Sequence, residues 1–433
     1  MYFIVETLEQ FSKLQVTDEC FVQIITANNS YHPKLTSASL VYYHNGEKGY
    51  ILPVKHSEAF SLDLKLIEDF LRKHERVYLL DKKYHSYFLQ LDNGIDLYFV
   101  QLDQNNEFES LKCDTLLTQQ YYAKYEGLSN VNEIIPISKH YETCQCLYDK
   151  IKGWFGLESN TEFQDRLVFA YKQVEQSSIG IDYEKLQSKY QIKNAKASID
   201  QTGIYSCYNL YNLTARPTNS FNGINFLAIP KEKEFRQCFA ANNDYLVEFD
   251  FDGYHLRLIA DLIGYQWSKE SVHETLGKQY FEVDQLTEEQ YKESKSITFK
   301  QLYGNVEERY KHIEFFSKLQ SYIENLWSNY NKQRGLALPT GRIIKWSKDM
   351  NKSKLFNYVV QNQETLVNVD KIERINQYLS ENKLATKLLL ITYDAFLFDY
   401  SLQDGKQTLL DIKQILELGN LLVKHKYSET YAF

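Results

Sequence analysis

The chain belongs, on its sequence, to the α+β class with an α/β layer at its N-terminus, and three observations predict this. Residues 1 to about 135 alternate strand-like runs with helical patterns. From about 140 to 200 apolar residues recur at three- and four-residue spacing, as in HYETCQCLYDKIKGWFG and RLVFAYKQVEQSSIGIDYEKLQSKYQ. Beyond 235, apolar strand-like segments such as YLVEF and KLLLITYDAFLFDY stand apart from long helical stretches.

The elements follow in order. Cys20 to Thr26, Ala38 to Tyr43, Tyr50 to Val54, Val77 to Leu80 and Leu97 to Leu102 read as strands, and Phe60 to Arg72 as a helix. Residues 200 to 235, rich in Asn, Thr and Gly, read as irregular. A strand and helix are expected over Tyr245 to Gly264, helices over about 284 to 334 and 352 to 381 with a basic turn between them, and a hairpin at KLLLITYDAFLFDY. No repeat, low-complexity tract or linker interrupts the series.

With 433 residues, 43% hydrophobic, 24% charged, 17 Gly and 6 Pro, the composition is globular and suits two or three domains of roughly 150 residues. A disulfide miniprotein and a disordered chain are excluded. The six cysteines form no CxxC pair, and the C-x-C at 144 to 146 lacks a partner knuckle, so they read as reduced thiols. No apolar run approaches the roughly 18 residues of a membrane span, and Met1 begins a strand-like YFIV without a basic leader. A cytoplasmic location is expected. The net charge of −8 means that any nucleic-acid contact must use a local basic surface.

Asp250 ends the run YLVEF just before GYHLRLIADLIG, where Leu256, Leu258, Ile259 and Leu262 mark one helix face. A carboxylate at a strand-to-helix junction can hold a divalent cation, because the sheet fixes its backbone while its oxygens project. It can equally cap the helix. Asp394 lies inside LLLITYDAFLFDY, where an acid between two buried runs marks a tight turn or a metal site. Two such aspartates could converge on one sheet edge.

In TEEQYKESKSITFKQLYGN, Tyr291, Lys295, Phe299 and Tyr303 recur every four residues and track along one helix face. A cation flanked by rings suits a triphosphate and a base together, although a solvated lysine on an amphipathic helix has the same pattern. Lys332 to Lys354 carries Lys332, Arg334, Arg342, Lys345, Lys348, Lys352 and Lys354 against Asp349 alone. That run is either a track for a phosphate backbone or a solvated face.

Taken in order, these residues resemble the family A DNA polymerases, the DNA polymerase I type, and among them the small phage versions. DFDGYHLRLIA from Asp250 to Ala260 is similar to the first palm motif, with Asp250 at the metal-ligand position and Arg257 at the arginine. Lys295, Phe299, Tyr303 and Gly304 match the fingers helix, Asn357 and Gln361 an Asn-Gln helix, TGR at 340 to 342 the turn before it, and Tyr393-Asp394-Ala395 the last palm motif. Upstream, TARPTNSFNGINFLAIPKEKEFRQCF places Arg216, Asn225, Pro230 and Arg236 at matching positions.

The resemblance implies a right-hand polymerase, with an antiparallel palm sheet and helical thumb and fingers, behind a ribonuclease H-like exonuclease-type domain. Its implied boundaries are 1–138 for a degenerate 3′–5′ exonuclease-like domain, 139–215 for the thumb, 216–265 and 375–433 for the palm, and 266–374 for the fingers and connecting helices. It implies primer extension with deoxynucleoside triphosphates by two magnesium ions, manganese being the alternative, held by Asp250 and Asp394. Lys295 is then the triphosphate ligand. His255, Phe299, Tyr303, Arg257 and Lys292 fall to substrate, and Arg216, Arg236, Asn357, Gln361, Arg342 and Lys345 to primer-template DNA. His255 stands where the family has a glutamate that blocks the ribose 2′-hydroxyl, so that either sugar discrimination is altered or the imidazole serves as the block; Tyr291 stands where it has an arginine, for which Lys292 or another cation compensates, and Ala395 where it has a second acid.

The strand that should carry Asp-x-Glu reads CFVQIIT, and Asp81 has no evident metal partner, so no proofreading is expected. A monomer working without a membrane is implied, in a bacterial host if phage-encoded. Helicase or processivity partners are not legible. Two other readings stand beside this one: a nucleotidyl transferase with relaxed sugar or template demands, suggested by His255 and Tyr291, and a non-catalytic DNA-binding remnant. Retention of both palm aspartates and Lys295 argues against the last, because DNA binding needs neither.

Overall fold

The computed structural model describes residues 3–105, 108–109, 111, 116–125, 127–157, 159, 161–190, 198–219, 224–230, 232–303 and 306–433. Gly304, matched to the fingers helix, lies outside them, as does the side chain of Tyr303. The chain divides into two compact units: Met1–Lys172 with Lys193–Gln201 and Ser220–Ile224, and Gln173–Ile192 with Thr202–Asn219 and Asn225–Phe433.

In the first unit, strands β1 (Phe3–Ile4), β2 (Glu19–Thr26), β3 (Ala38–His44), β4 (Gly49–Pro53), β5 (Arg76–Leu79) and β6 (Gly94–Asp96) form a sheet of order β1-β4-β3-β2-β5-β6. β2, β3 and β4 run antiparallel, whereas β5 and β6 follow β2 in parallel. Helix α1 (Leu64–Leu71) buries Ile67, Phe70 and Leu71 with Val22, Val41, Tyr43 and Val77 of the strands. It begins later than Phe60 because Asp63 accepts from the Lys65 amide at 2.7 Å and caps it.

One expected strand is a helix. Leu97 to Leu102 opens α2 (Leu97–Asn105), in which every residue from Leu97 to Leu102 is buried. A short, wholly buried apolar run fits either period. Asp96 decides it, since its carboxylate accepts from the Tyr98 amide at 3.0 Å and turns the chain into the helix. Helix α3 (Ile137–Ile151) follows as expected, burying Ile137, Leu147 and Ile151.

In the second unit, β7 (Ser178–Ile181) interrupts the stretch expected to be helical, and it pairs with Phe239–Ala240 and with Gly203–Tyr205. Strand β8 (Tyr245–Phe251) leads into α4 (Tyr254–Ile263). Helices α5 (Val272–Phe281), α6 (Glu288–Tyr303) and α7 (Glu314–Gln333) follow, then a hairpin of β9 (Gly335–Ala337) and β10 (Ile343–Lys345), and the 30-residue α8 (Lys352–Glu381). Leu256, Ile259, Val272, Leu276, Leu302, Phe315, Phe316, Phe356 and Val360 form one core that joins α4 to α8. Strands β11 (Lys387–Ile391) and β12 (Ala395–Tyr400), helix α9 (Gly405–Leu416) and strand β13 (Val423–Ser428) complete the unit.

These strands form an antiparallel sheet of order β11-β12-β8-β13. β8 is therefore central, flanked by the hairpin that bears Asp394 and by the C-terminal strand. β13 has no counterpart among the expected strands, because Lys424, His425, Lys426 and Tyr427 are all exposed and break the apolar alternation. Among the described residues, no helix is long and apolar enough to cross a membrane.

Candidate active site

Asp250 lies inside β8, opposite Ala395 of β12 and Lys424 of β13. The capping alternative falls away, because the N-cap of α4 is Gly253, with φ 60° and no side-chain cap bond. Asp394 sits in the tight turn between β11 and β12, where Thr392 and Ala395 exchange backbone bonds, and its carbonyl accepts from the Phe251 amide at 2.9 Å. Register thus sets the two aspartates on neighbouring strands at one end of the sheet. Burial raises both carboxyls above the usual carboxylate range, and for Asp250 the charge of Asp394 adds to the effect.

The acids around this pair are matched with cations. Asp252 meets Lys424 at 2.6 Å, Glu248 meets Lys426 at 3.6 Å and Glu364 meets Arg216 at 2.9 Å. Asp250 and Asp394 have no ion-pair partner among the described residues. Two adjacent, partly desolvated carboxylates, neither of them in an ion pair, suit hard divalent ions such as magnesium or manganese, which take oxygen ligands.

α8 borders the pair with a polar stripe. Asn357, Gln361, Glu364 and Asn368 recur at four-, three- and four-residue steps and so share a face. Asn357 and Gln361 are partly exposed, whereas Glu364 and Asn368 are buried. Glu364 accepts from His255 Nε2 at 2.7 Å and from Arg216 Nε at 2.9 Å. The Arg216 guanidinium lies 3.7 Å from the Tyr393 ring centroid. Both His255 and Arg216 remain partly exposed. One turn on, Asn368 accepts from the Tyr254 hydroxyl at 2.6 Å and donates to the Tyr393 carbonyl at 3.1 Å.

On α6 the Lys295 ammonium stands 4.6 Å from the Tyr291 ring centroid, and Phe299 is exposed one turn further along. Lys292 points elsewhere on the helix and pairs with Glu288 at 2.6 Å. His273 of α5 packs its ring against Phe299, 5.9 Å between centroids, and its buried Nδ1 has no partner among the described residues. Burial, reinforced by Lys295, pushes this imidazole down to about 4, so it is neutral at pH 7. His273 also lies in the field of Asp252 and Lys424, and Lys424 in that of Asp250 and Tyr291. The α6 face and the aspartate edge therefore share one electrostatic neighbourhood.

Other expected residues are placed differently. Arg257 is buried, donating to the carbonyls of Asp252, Asn420 and Glu270, which gives it a supporting place beneath the site. Arg342 is also buried and donates to the Asn212 carbonyl at 2.7 Å. Arg236 donates to the Pro230 carbonyl and stacks on Tyr431. The basic run does not form one free face: Arg334 stacks on Trp346 and Lys352 pairs with Glu324, while Lys345 is exposed. Thr340 of the TGR turn is tied by Asn362 to the Thr214 carbonyl.

Glu364, Asn368, His273, Lys424 and Lys426 escaped sequence reasoning. The first two carried a signal, since they extend the Asn357–Gln361 spacing by whole turns. The lysines and the histidine carried none, because their neighbours come from distant strands and helices.

In the first unit, the end of β2 is closed by neutral groups. Thr26 Oγ1 meets Asn29 Oδ1 at 3.0 Å and the Tyr84 hydroxyl at 2.8 Å, while Asn132 bonds the Thr26 carbonyl, Asn29 and Tyr122. Asp81, at φ 60°, accepts from the Tyr84 amide at 3.0 Å and caps a single helical turn, Lys82–His85.

No family model matches the sequence, and no curated protein matches it. Among solved structures the chain is similar to the POL domain of Pol1 from M. smegmatis in complex with DNA primer-template and dNTP. The two share 13% identity with a TM-score of 0.67 over 96% of each chain. A likeness at that identity is a likeness of fold, and it runs through both units: the chain has the fold of a polymerase domain.

Proposed function

We propose that the chain is a template-directed DNA polymerase that extends a primer 3′-hydroxyl and releases pyrophosphate from the incoming deoxynucleotide. The observation that carries this reading is the Asp250–Asp394 pair, which makes no ion pair among the described residues while Glu248, Asp252 and Glu364 beside it are each ion-paired. The right-hand division, with the sheet of β8 and β11–β13 as palm and α5–α7 in the fingers, belongs to the same reading, as does descent from the family A type. The parallel placement of β5 and β6 beside an antiparallel β2–β4 supports a ribonuclease H-like first unit.

Asp250 and Asp394 would hold divalent cations, which when bound neutralise charge on the attacking and leaving oxygens. Lys295 Nζ binds the triphosphate and gives a proton to the leaving pyrophosphate, with the neutral His273 ring beside it to donate a hydrogen bond to phosphate oxygen. Phe299 offers a ring face to the nascent pair, and Tyr303, one turn further along α6, belongs to the same substrate-binding set. Gln361 and Asn357 read minor-groove acceptors, which lie at similar places for every base pair. The His255 ring, fixed by Glu364, excludes a ribose 2′-hydroxyl. Arg216 on the floor of the site meets the primer-template.

Among the described residues the side chains bonded to Thr26 are neutral, and in this reading the first unit guides DNA without proofreading. Primer extension on defined templates, with magnesium and one nucleotide at a time, tests the function. Addition of the complementary deoxynucleotide alone supports it. Addition irrespective of template marks a relaxed transferase, and no addition marks a DNA-binding scaffold.

A further inference from the structure

Glu364 and Asn368 stand one helical turn apart on α8; Asn368 bonds both aspartate-bearing junctions, and Glu364 bonds the first and reaches the second through Arg216. Asn368 bonds the Tyr254 hydroxyl, four residues after Asp250, and the carbonyl of Tyr393, the residue before Asp394. Glu364 bonds His255, next to Tyr254, and Arg216, whose guanidinium stands over the Tyr393 ring at 3.7 Å from its centroid. Two rungs therefore run from the start of α4, across α8, to the residue that precedes Asp394.

Both side chains are costly where they are. Glu364 is 1% exposed and Asn368 2%, and buried polar groups of this kind persist only when fully bonded. Apolar residues would serve the packing of α8 as well. The far end of the rungs also needs holding: Tyr393 has φ 62°, a left-handed backbone that a non-glycine residue keeps only when its surroundings impose it.

We propose that Glu364 and Asn368 are positioning residues, a two-rung brace that sets the separation of the Asp250 and Asp394 carboxylates and with it the affinity of the site for divalent cations. The proposal rests on the polymerase reading in taking those aspartates as cation ligands.

The test is a Mn2+ titration of the full chain, followed by the electron paramagnetic resonance of the free ion, for wild type, Glu364→Gln, Asn368→Leu and Asp394→Asn. Glutamine has the same shape but one acceptor oxygen where the carboxylate uses two, and no charge to hold Arg216, so it weakens the first rung, and leucine removes the other. Each variant is expected to bind Mn2+ about tenfold more weakly, about 1.4 kcal/mol, with Asp394→Asn weaker still. In primer extension the Mg2+ concentration for half-maximal rate should rise by the same factor, while KM for the nucleotide at saturating Mg2+ stays within about twofold. Variants that melt earlier but keep the wild-type Mn2+ constant would overturn the brace. If Glu364→Gln does not fold, Asn368→Leu decides alone. A wild-type chain that binds Mn2+ at Asp394 yet extends no primer would remove the polymerase reading, and the Mn2+ constants of the variants would still decide the brace.

Discussion

Replacing Arg257 with methionine separates a residue that supports the site from one that touches substrate. The side chain is 1% exposed, and its Nε, Nη1 and Nη2 donate to the carbonyls of Asp252, Asn420 and Glu270 at 2.9, 3.2 and 3.0 Å. These acceptors belong to the β8–α4 turn, the segment before β13 and the segment before α5, so one guanidinium ties three loops around Asp250. Methionine fills the space of the stem but donates nothing. Hydrogen bonds to a charged group contribute about 1.5–3 kcal/mol each, but removing the guanidinium also removes its own desolvation cost. The net loss expected is about 3–5 kcal/mol, the range for breaking a buried charged contact. Guanidinium chloride unfolding measures it, and extension by the remaining folded fraction should fall less than about tenfold. Unchanged stability with extension reduced more than about a hundredfold would refute the reasoning and put Arg257 against the substrate.

Three further outcomes follow from the same geometry. Lys295→Met is expected to lower kcat by about a hundred- to a thousandfold, as loss of a transition-state donor does, and His273→Phe to raise KM for the nucleotide with a smaller effect on kcat, both read by single-nucleotide incorporation. Because the folded state raises the carboxyls of Asp250 and Asp394, it binds more protons than the unfolded chain between the ordinary and the raised values, and stability falls as pH climbs through that window. In chelator at pH 7, Asp394→Asn should therefore melt above wild type, with the gap closing as pH falls through that window and gone below about 4; melting below wild type at pH 7 would contradict this. The chain should leave 3′-labelled single-stranded DNA intact, and Asp81→Ala should cost about 1 kcal/mol of stability as a lost cap, with no nuclease to abolish.

The elements that carry the chemistry were the most legible. β8 with Asp250, α8 over residues 352 to 381 and the β11–β12 hairpin around Asp394 each combine a strong period with a polar break, and such breaks are local facts. Leu97–Leu102 failed because a wholly buried six-residue run has no period to read, and its outcome turned on the bond from Asp96 to the Tyr98 amide. β7 was hidden among helical neighbours, since its partners at Phe239 and Tyr205 lie far along the chain.

The site was half legible for the same reason. Asp250, His255, Lys295, Asn357, Gln361 and Asp394 stand out in short patterns. Nothing local says that Arg257 and Arg342 are buried against backbone carbonyls, because a basic residue reads alike whether its partner is a phosphate or a carbonyl. The match of Glu364 with His255 joins residues 109 apart, and that of Lys424 with Asp252 joins residues 172 apart, so neither exists before the chain folds.

The most direct measurement is Asp250→Asn, read in parallel for primer extension and for primer-template affinity at fixed salt. A shared cation site at Asp250 and Asp394 requires extension to vanish while affinity for DNA stays within about twofold, since phosphate contacts carry binding. Extension that survives the substitution would contradict it.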